Sequence, residues 1–159
     1  MATSAEPRRL PLAQLEQHVG ETLGPSTPLL VSQDRIDRFA EVTEDRQWIH
    51  VDPVRAATGP YGVTIAHGFL TLSLVSWALE GLLLVPDAQS AINYGLDRVR
   101  FPSPVRAGSE VTATAEIRSV RRDSARTFLS TRVSLTAMGT AHPCCVADAL
   151  TLYLPEEGA

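Results

Sequence analysis

The chain is poor in cysteine, in aromatics and in unbroken apolar runs, and it has no excess of basic charge. Each shortage removes a class of protein. The two cysteines, Cys144 and Cys145, are neighbours. Adjacent Cα atoms stand about 3.8 Å apart across a trans peptide, short of the usual disulfide span. In a strand their side chains would point to opposite faces. They are expected to be reduced strand thiols of a cytoplasmic protein. No further Cys or His stands at ligand spacing, so no metal site is expected. The net charge of -4 argues against nucleic acid, which needs basic stripes. The longest apolar stretch, residues 69–85, is broken by Thr71, Ser73, Ser76, Glu80 and Gly81. It reads as a buried core helix and not as a membrane span. The basic start around Arg8-Arg9 has no apolar segment behind it, and no secretory signal is expected.

At 159 residues the chain can bury one sizeable core. Residues 1–9 are expected to form a flexible tail, and residues 10–159 a single domain. Leu12, Leu15 and Val19 recur at helical spacing up to Gly20. Leu29-Leu30-Val31 reads as a brief extended piece. Ser32 is a good N-cap, Asp34 lies where the helix dipole favours it, and Ile36, Phe39 and Ala40 continue the spacing. That helix should fade near Val42-Thr43. Asp52-Pro53 opens another short one, with an Asp cap and Pro at the first helical position. Asp45 and His50 are thereby predicted on a loop between two helices. Gly59-Pro60-Tyr61-Gly62 is a turn.

After Gly68, apolar residues occupy most faces, which predicts a helix wrapped by other elements and ending near residues 82–85. Alternation over residues 111–117 and 129–135 predicts two half-buried strands. Residues 121–124 read as the connection between them. Residues 93–101 and 144–154 are predicted to be two more strands. A long buried helix followed by antiparallel strands gives an α+β class, with one sheet curled around one helix.

The polar centre of the chain is Asp45-Arg46-Gln47-Trp48-Ile49-His50. A carboxylate and an imidazole stand five residues apart and can share one water, one of them taking its proton. Ile65-Ala66-His67-Gly68 then opens the apolar helix. An amide at a helix start has no intrahelical partner and can meet a developing oxyanion, with the dipole behind it. Taken singly, these residues also have plain readings. Asp45 suits a loop cap, His50 a hydrogen-bonded core histidine and Gly68 a turn. Asp52 is a helix cap, while Gln47 and Trp48 fit residues that set the loop.

Residues 39–50, Phe-Ala-Glu-Val-Thr-Glu-Asp-Arg-Gln-Trp-Ile-His, resemble the hydratase motif of the MaoC-like family, the (R)-specific enoyl-CoA hydratases. Asp45-Arg46-Gln47-Trp48-Ile49-His50-Val51-Asp52 is similar to the nodulation-protein-N-like branch. Residues 65–72 resemble the family's Ile-Ala-His-Gly segment. Residues 93–96 and 99–105 resemble its following strand. The resemblance covers nearly the whole chain after Leu10. It implies a hot dog fold, a long central helix wrapped by a curved antiparallel sheet. It also implies a homodimer that buries sheet edges and an outer face, with sites near the interface. The implied activity is cofactor-free addition of water to, or its removal from, an acyl thioester. Asp45 and His50 would be catalytic, and Gly68, His67 and Gln47 would bind the oxyanion or substrate. His67 would shape the helix start more than react. Arg100 and Arg106 would face phosphates of coenzyme A or of a phosphopantetheine arm. One departure stands out: Glu44 occupies a position where many members carry Gly. If that position needs positive φ, Glu is strained there.

Three readings follow. The first is a cytoplasmic hydratase or dehydratase of acyl-CoA, with no nucleic acid or membrane partner. The second is a dehydratase of carrier-protein-bound polyketide or fatty-acid intermediates. The third is a non-catalytic acyl-thioester-binding hot dog protein, for which Glu44 is the sequence support. Thioesterase activity is disfavoured by the hydratase motif.

Overall fold

The computed structural model describes residues 6–155. The chain enters through β1 (Arg8–Arg9) and a 3-10 helix over Leu12–His18, followed by β2 (Thr22–Leu23) and β3 (Leu29–Val31). Three helices come next: α1 (Gln33–Thr43), α2 (Trp48–Val51) and α3 (Pro53–Ala57). The long helix α4 (Gly68–Leu82) leads into β4 (Leu83–Leu84). Four strands finish the chain: β5 (Ala88–Arg100), β6 (Ser109–Asp123), β7 (Arg126–Ala137) and β8 (Cys145–Pro155).

The main sheet has six strands in the order β2-β6-β7-β8-β5, with β3 also pairing β6. All of its pairings are antiparallel. Helix α4 packs on β6, β7 and β8. This is the hot dog arrangement implied by the resemblance. The alternation explains it directly. Val111, Ala113, Ala115 and Ile117 of β6 and Leu129, Thr131, Val133 and Leu135 of β7 are buried, while the residues between them face outward. From α4, Leu70, Leu74, Val75, Ala78 and Leu82 meet them in a single cluster that runs in sequence from Leu10 to Tyr153. Both cysteines are free and buried. Burial pushes both thiols up, that of Cys145 to about 11.

Four expectations are corrected. Arg8–Arg9, placed in the tail, pairs in parallel with Leu83–Leu84 because Leu10, just behind it, is buried in the core; residues 1–5 lie outside the described residues. Residues 121–123, read as connection, continue β6, and the turn contracts to Ser124-Ala125, with Ser124 at a φ of 53°. Strand β5 begins five residues earlier than predicted, at Ala88. Helix α4 is not wrapped all round: Phe69 is 71% exposed, and Ser73, Ser76 and Glu80 share its open side.

Candidate active site

Helix α1 is capped as the sequence suggests, with the Arg35 N–H donating to the Ser32 hydroxyl at 3.2 Å. It ends at Glu44, whose φ of 61° and ψ of 12° are left-handed. Asp45 follows on this turn with an exposed side chain. The next few residues were expected to be loop. They form α2 instead, because the His50 N–H reaches the Gln47 carbonyl at 2.9 Å and the Asp52 N–H reaches that of Trp48 at 3.0 Å. The Asp52 carboxylate caps α3 through the Arg55 N–H at 3.0 Å. The Arg55 guanidinium lies 4.3 Å from the centre of the Trp48 ring, bracing α2 against α3.

His50 is buried, and its Nδ1 lies 2.7 Å from the Ile65 carbonyl oxygen. A carbonyl only accepts, so Nδ1 carries the hydrogen and Nε2 keeps its lone pair. Burial lowers the proton affinity of His50 below that of an ordinary histidine. The bond to Ile65 pulls it back up, His67 lowers it further, and Asp45 raises it. The main chain of His50 is also held: its carbonyl accepts from Gln33 Nε2 at 2.8 Å, and the Gln33 side-chain oxygen accepts from the Thr64 hydroxyl. Gln33 was not singled out from the sequence. Beside the Ser32 cap it reads only as a first-turn helix residue, and its reach to Thr64 is visible only in the fold.

His67 is 1% exposed and precedes α4. Its Nε2 lies 2.9 Å from the main-chain oxygen of Asp45, and its ring stacks on that of His50 with centroids 3.8 Å apart. The Asp45 carboxylate and the two imidazoles offer donor atoms all within 4.8 Å of one another. The sequence announced the Asp45–His50 pair, but not the third member, because His67 comes from a separate segment. One nitrogen on each ring is committed to a carbonyl. The set suits proton handling better than ion binding.

Gly68 is the first residue of α4, so its N–H has no intrahelical partner. It lines a cavity of about 310 Å³ together with His50, Tyr61, Thr71, Phe101 and Cys144. A Cβ at Gly68 would meet the Phe101 ring at 3.1 Å, so the close approach that needs glycine here is made by Phe101. Of the residues named from sequence, Asp45, His50 and His67 converge, and Gly68 shares the cavity with His50. Gln47 does not join them; it is exposed at the start of α2 and lines none of this cavity. Arg100 and Arg106 are exposed, and Arg100 donates to the Val99 carbonyl at 2.7 Å.

A buried imidazole close to a carboxylate, sharing a cavity with a helix-start glycine on a hot dog fold, makes a candidate acid–base site for a carbonyl compound. The chain belongs to the MaoC-like family: residues 14–138 match the MaoC like domain. The 3-hydroxyacyl-thioester dehydratase Z of Mycobacterium tuberculosis is 42% identical over 146 residues, 90% of this chain and 95% of its own. Nodulation protein N of Rhizobium leguminosarum bv. viciae is 51% identical over 104 residues, 64% of this chain and 65% of its own. Among solved structures, the unliganded R-hydratase PhaJ1 from Pseudomonas aeruginosa superposes with a TM-score of 0.70 at 27% identity, covering 96% of this chain and 90% of that one.

Proposed function

We propose that this chain is a hydro-lyase that adds water to a trans-2-enoyl thioester with (R) stereochemistry, and in reverse dehydrates a 3-hydroxyacyl thioester. The observation that carries the reading is the convergence of Asp45 and His50, within 4.8 Å, beside a cavity that Gly68 also lines. The names of the dehydratase and the R-hydratase among its relatives support it.

The chemistry follows from the atoms. One water sits between the Asp45 carboxylate and His50 Nε2, donating a hydrogen bond to each. As its oxygen attacks C3, one of the two takes a proton. Charge moves to the thioester oxygen, where the Gly68 N–H receives it. The proton taken from water is then delivered to C2, so the site ends as it began. His67 and Gln47 act outside this exchange, His67 by holding the loop. No cofactor takes part.

The non-catalytic binder needs a loop that turns Asp45 away from His50, and the observed convergence disfavours it. Carrier-protein-bound substrates remain the second reading. Arg100 and Arg106, exposed and next in sequence to the cavity-lining residues Phe101 and Val105, suit a phosphorylated arm on either carrier. A cytoplasmic location is part of the reading; no helix among the described residues is long and apolar enough to cross a membrane. A homodimer completes the reading. Edge strand β5 is exposed along most of its length and carries Ile92, Tyr94 and Leu96 on its surface.

The test is incubation with crotonyl-CoA and a longer trans-2-enoyl-CoA, following enoyl absorbance and product configuration. Loss of absorbance with an (R) product is expected. No turnover, or a racemic or (S) product, contradicts the reading. Competition between matched acyl-CoA and acyl-carrier substrates separates the two carriers.

A further inference from the structure

We propose that His67 is the positioning residue of the site: it fixes the main chain of Asp45 and braces the ring of His50, so that the carboxylate and the imidazole meet on one water. As a statement about turnover this rests on the hydratase reading; as a statement about geometry it does not.

The N-cap of a helix normally carries a short side chain that accepts from the first free amides. His67 occupies that position before α4 and makes no such bond. Its ring goes instead to the Asp45 loop, with Nε2 2.9 Å from the Asp45 oxygen. Because that oxygen can only accept, Nε2 carries the hydrogen and Nδ1 is bare. Nδ1 is buried and has no partner among the described residues. A ring kept only to fill space would be better served by an apolar side chain, which leaves no orphaned acceptor. The N–H at Nε2 accounts for the histidine.

Asp45 needs such a hold. It follows Glu44, which lies in the left-handed region, and its side chain is exposed with no hydrogen bond among the described residues. The carboxylate is therefore aimed by its backbone, and the partner of that backbone carbonyl is His67. The same ring stacks on His50 at 3.8 Å and packs against Phe39 of α1 at 5.0 Å. One side chain thus ties together the end of α1, α2 and the start of α4.

The experiment uses the whole chain. His67→Gln can return an N–H to the place of Nε2, whereas His67→Asn reaches only the place of Nδ1. Crotonyl-CoA hydration is expected to fall tenfold or more in kcat for His67→Asn with KM nearly unchanged, and to recover most of that loss in His67→Gln. Equal impairment of the two variants, or full activity in His67→Asn, overturns the proposal. The wild-type protein provides a readout that needs neither variant folding nor activity. Long-range proton–nitrogen NMR of histidine-labelled protein should show His67 with its hydrogen on Nε2 and a bare Nδ1. The opposite tautomer overturns the proposal. A wild type that turns over no enoyl thioester sinks the hydratase reading alone, and the tautomer still decides the role of His67.

Discussion

Glu44 adopts a φ of 61° at the end of α1, a region in which an L side chain crowds the backbone. Glycine avoids that crowding, so Glu44→Gly should relieve about 1 kcal/mol of strain. The larger unfolded-state entropy of glycine offsets part of it. The expected outcome is a small gain in stability, under about 1 kcal/mol by urea unfolding, with no loss of kcat. A clear loss of stability would mean that Glu44 makes a compensating contact. His50 gives the second residue-scale expectation. Burial holds its pKa below the ordinary histidine value of 6.5. The proposed mechanism uses its neutral Nε2, so the acid limb of kcat/KM should fall below pH 6.5. Stability changes with the same sign: below the ordinary value the unfolded imidazole takes a proton that the folded one resists, so stability declines as pH falls there. An acid limb that disappears in His50→Ala would assign it; an unchanged limb would assign it elsewhere.

Elements set by local signals were legible in the sequence. The Ser32 and Asp52 caps and the alternation in β6 and β7 fall where the pattern put them, because caps and period-2 burial are written in neighbouring residues. Helix α2 was not legible, since one turn is too short for a 3.6-residue period to declare itself. The shared roles of Gln33 and His67 were hidden for another reason: their partners lie 17 to 31 residues away in sequence. Strand β5 shows the same limit. Ile92, Tyr94 and Leu96 recur at every second position as in a half-buried strand, yet Tyr94 is 59% exposed, its ring meeting only the edge contact with Phe128 at 5.2 Å among the described residues. A second copy of the chain is the expected cover. Tyr94→Asp and Leu96→Asp should each shift the protein toward monomer in light scattering while leaving far-ultraviolet circular dichroism unchanged. A wild-type monomer at micromolar concentration would remove the dimer from the proposal.

The whole molecule separates two kinds of surface. The outer face of the sheet, expected from the resemblance to be covered along with the edges, carries a charge ladder across four strands. Glu116 pairs in register with Arg132, Arg132 with Asp148, and Asp148 with Arg98. Arg132 grips Asp148 with two bonds of 2.7 and 2.9 Å, which holds that carboxyl below its usual range. Such a face suits water better than a dry interface, whereas β5 exposes Ile92, Tyr94 and Leu96 along one strand. The proposed chemistry lies elsewhere: a loop after α1, one turn of α2 and the start of α4 bring Asp45, His50 and His67 together. The most direct measurement of that unity is a double-mutant cycle on crotonyl-CoA hydration with Asp45→Asn and His50→Ala. Each single change should lower kcat by an order of about 10² or more with little effect on folding. The double variant should be little worse than the worse single, because both groups act on one water. Near-wild-type turnover in either single variant, or losses that multiply in the double, would contradict a shared water at this site.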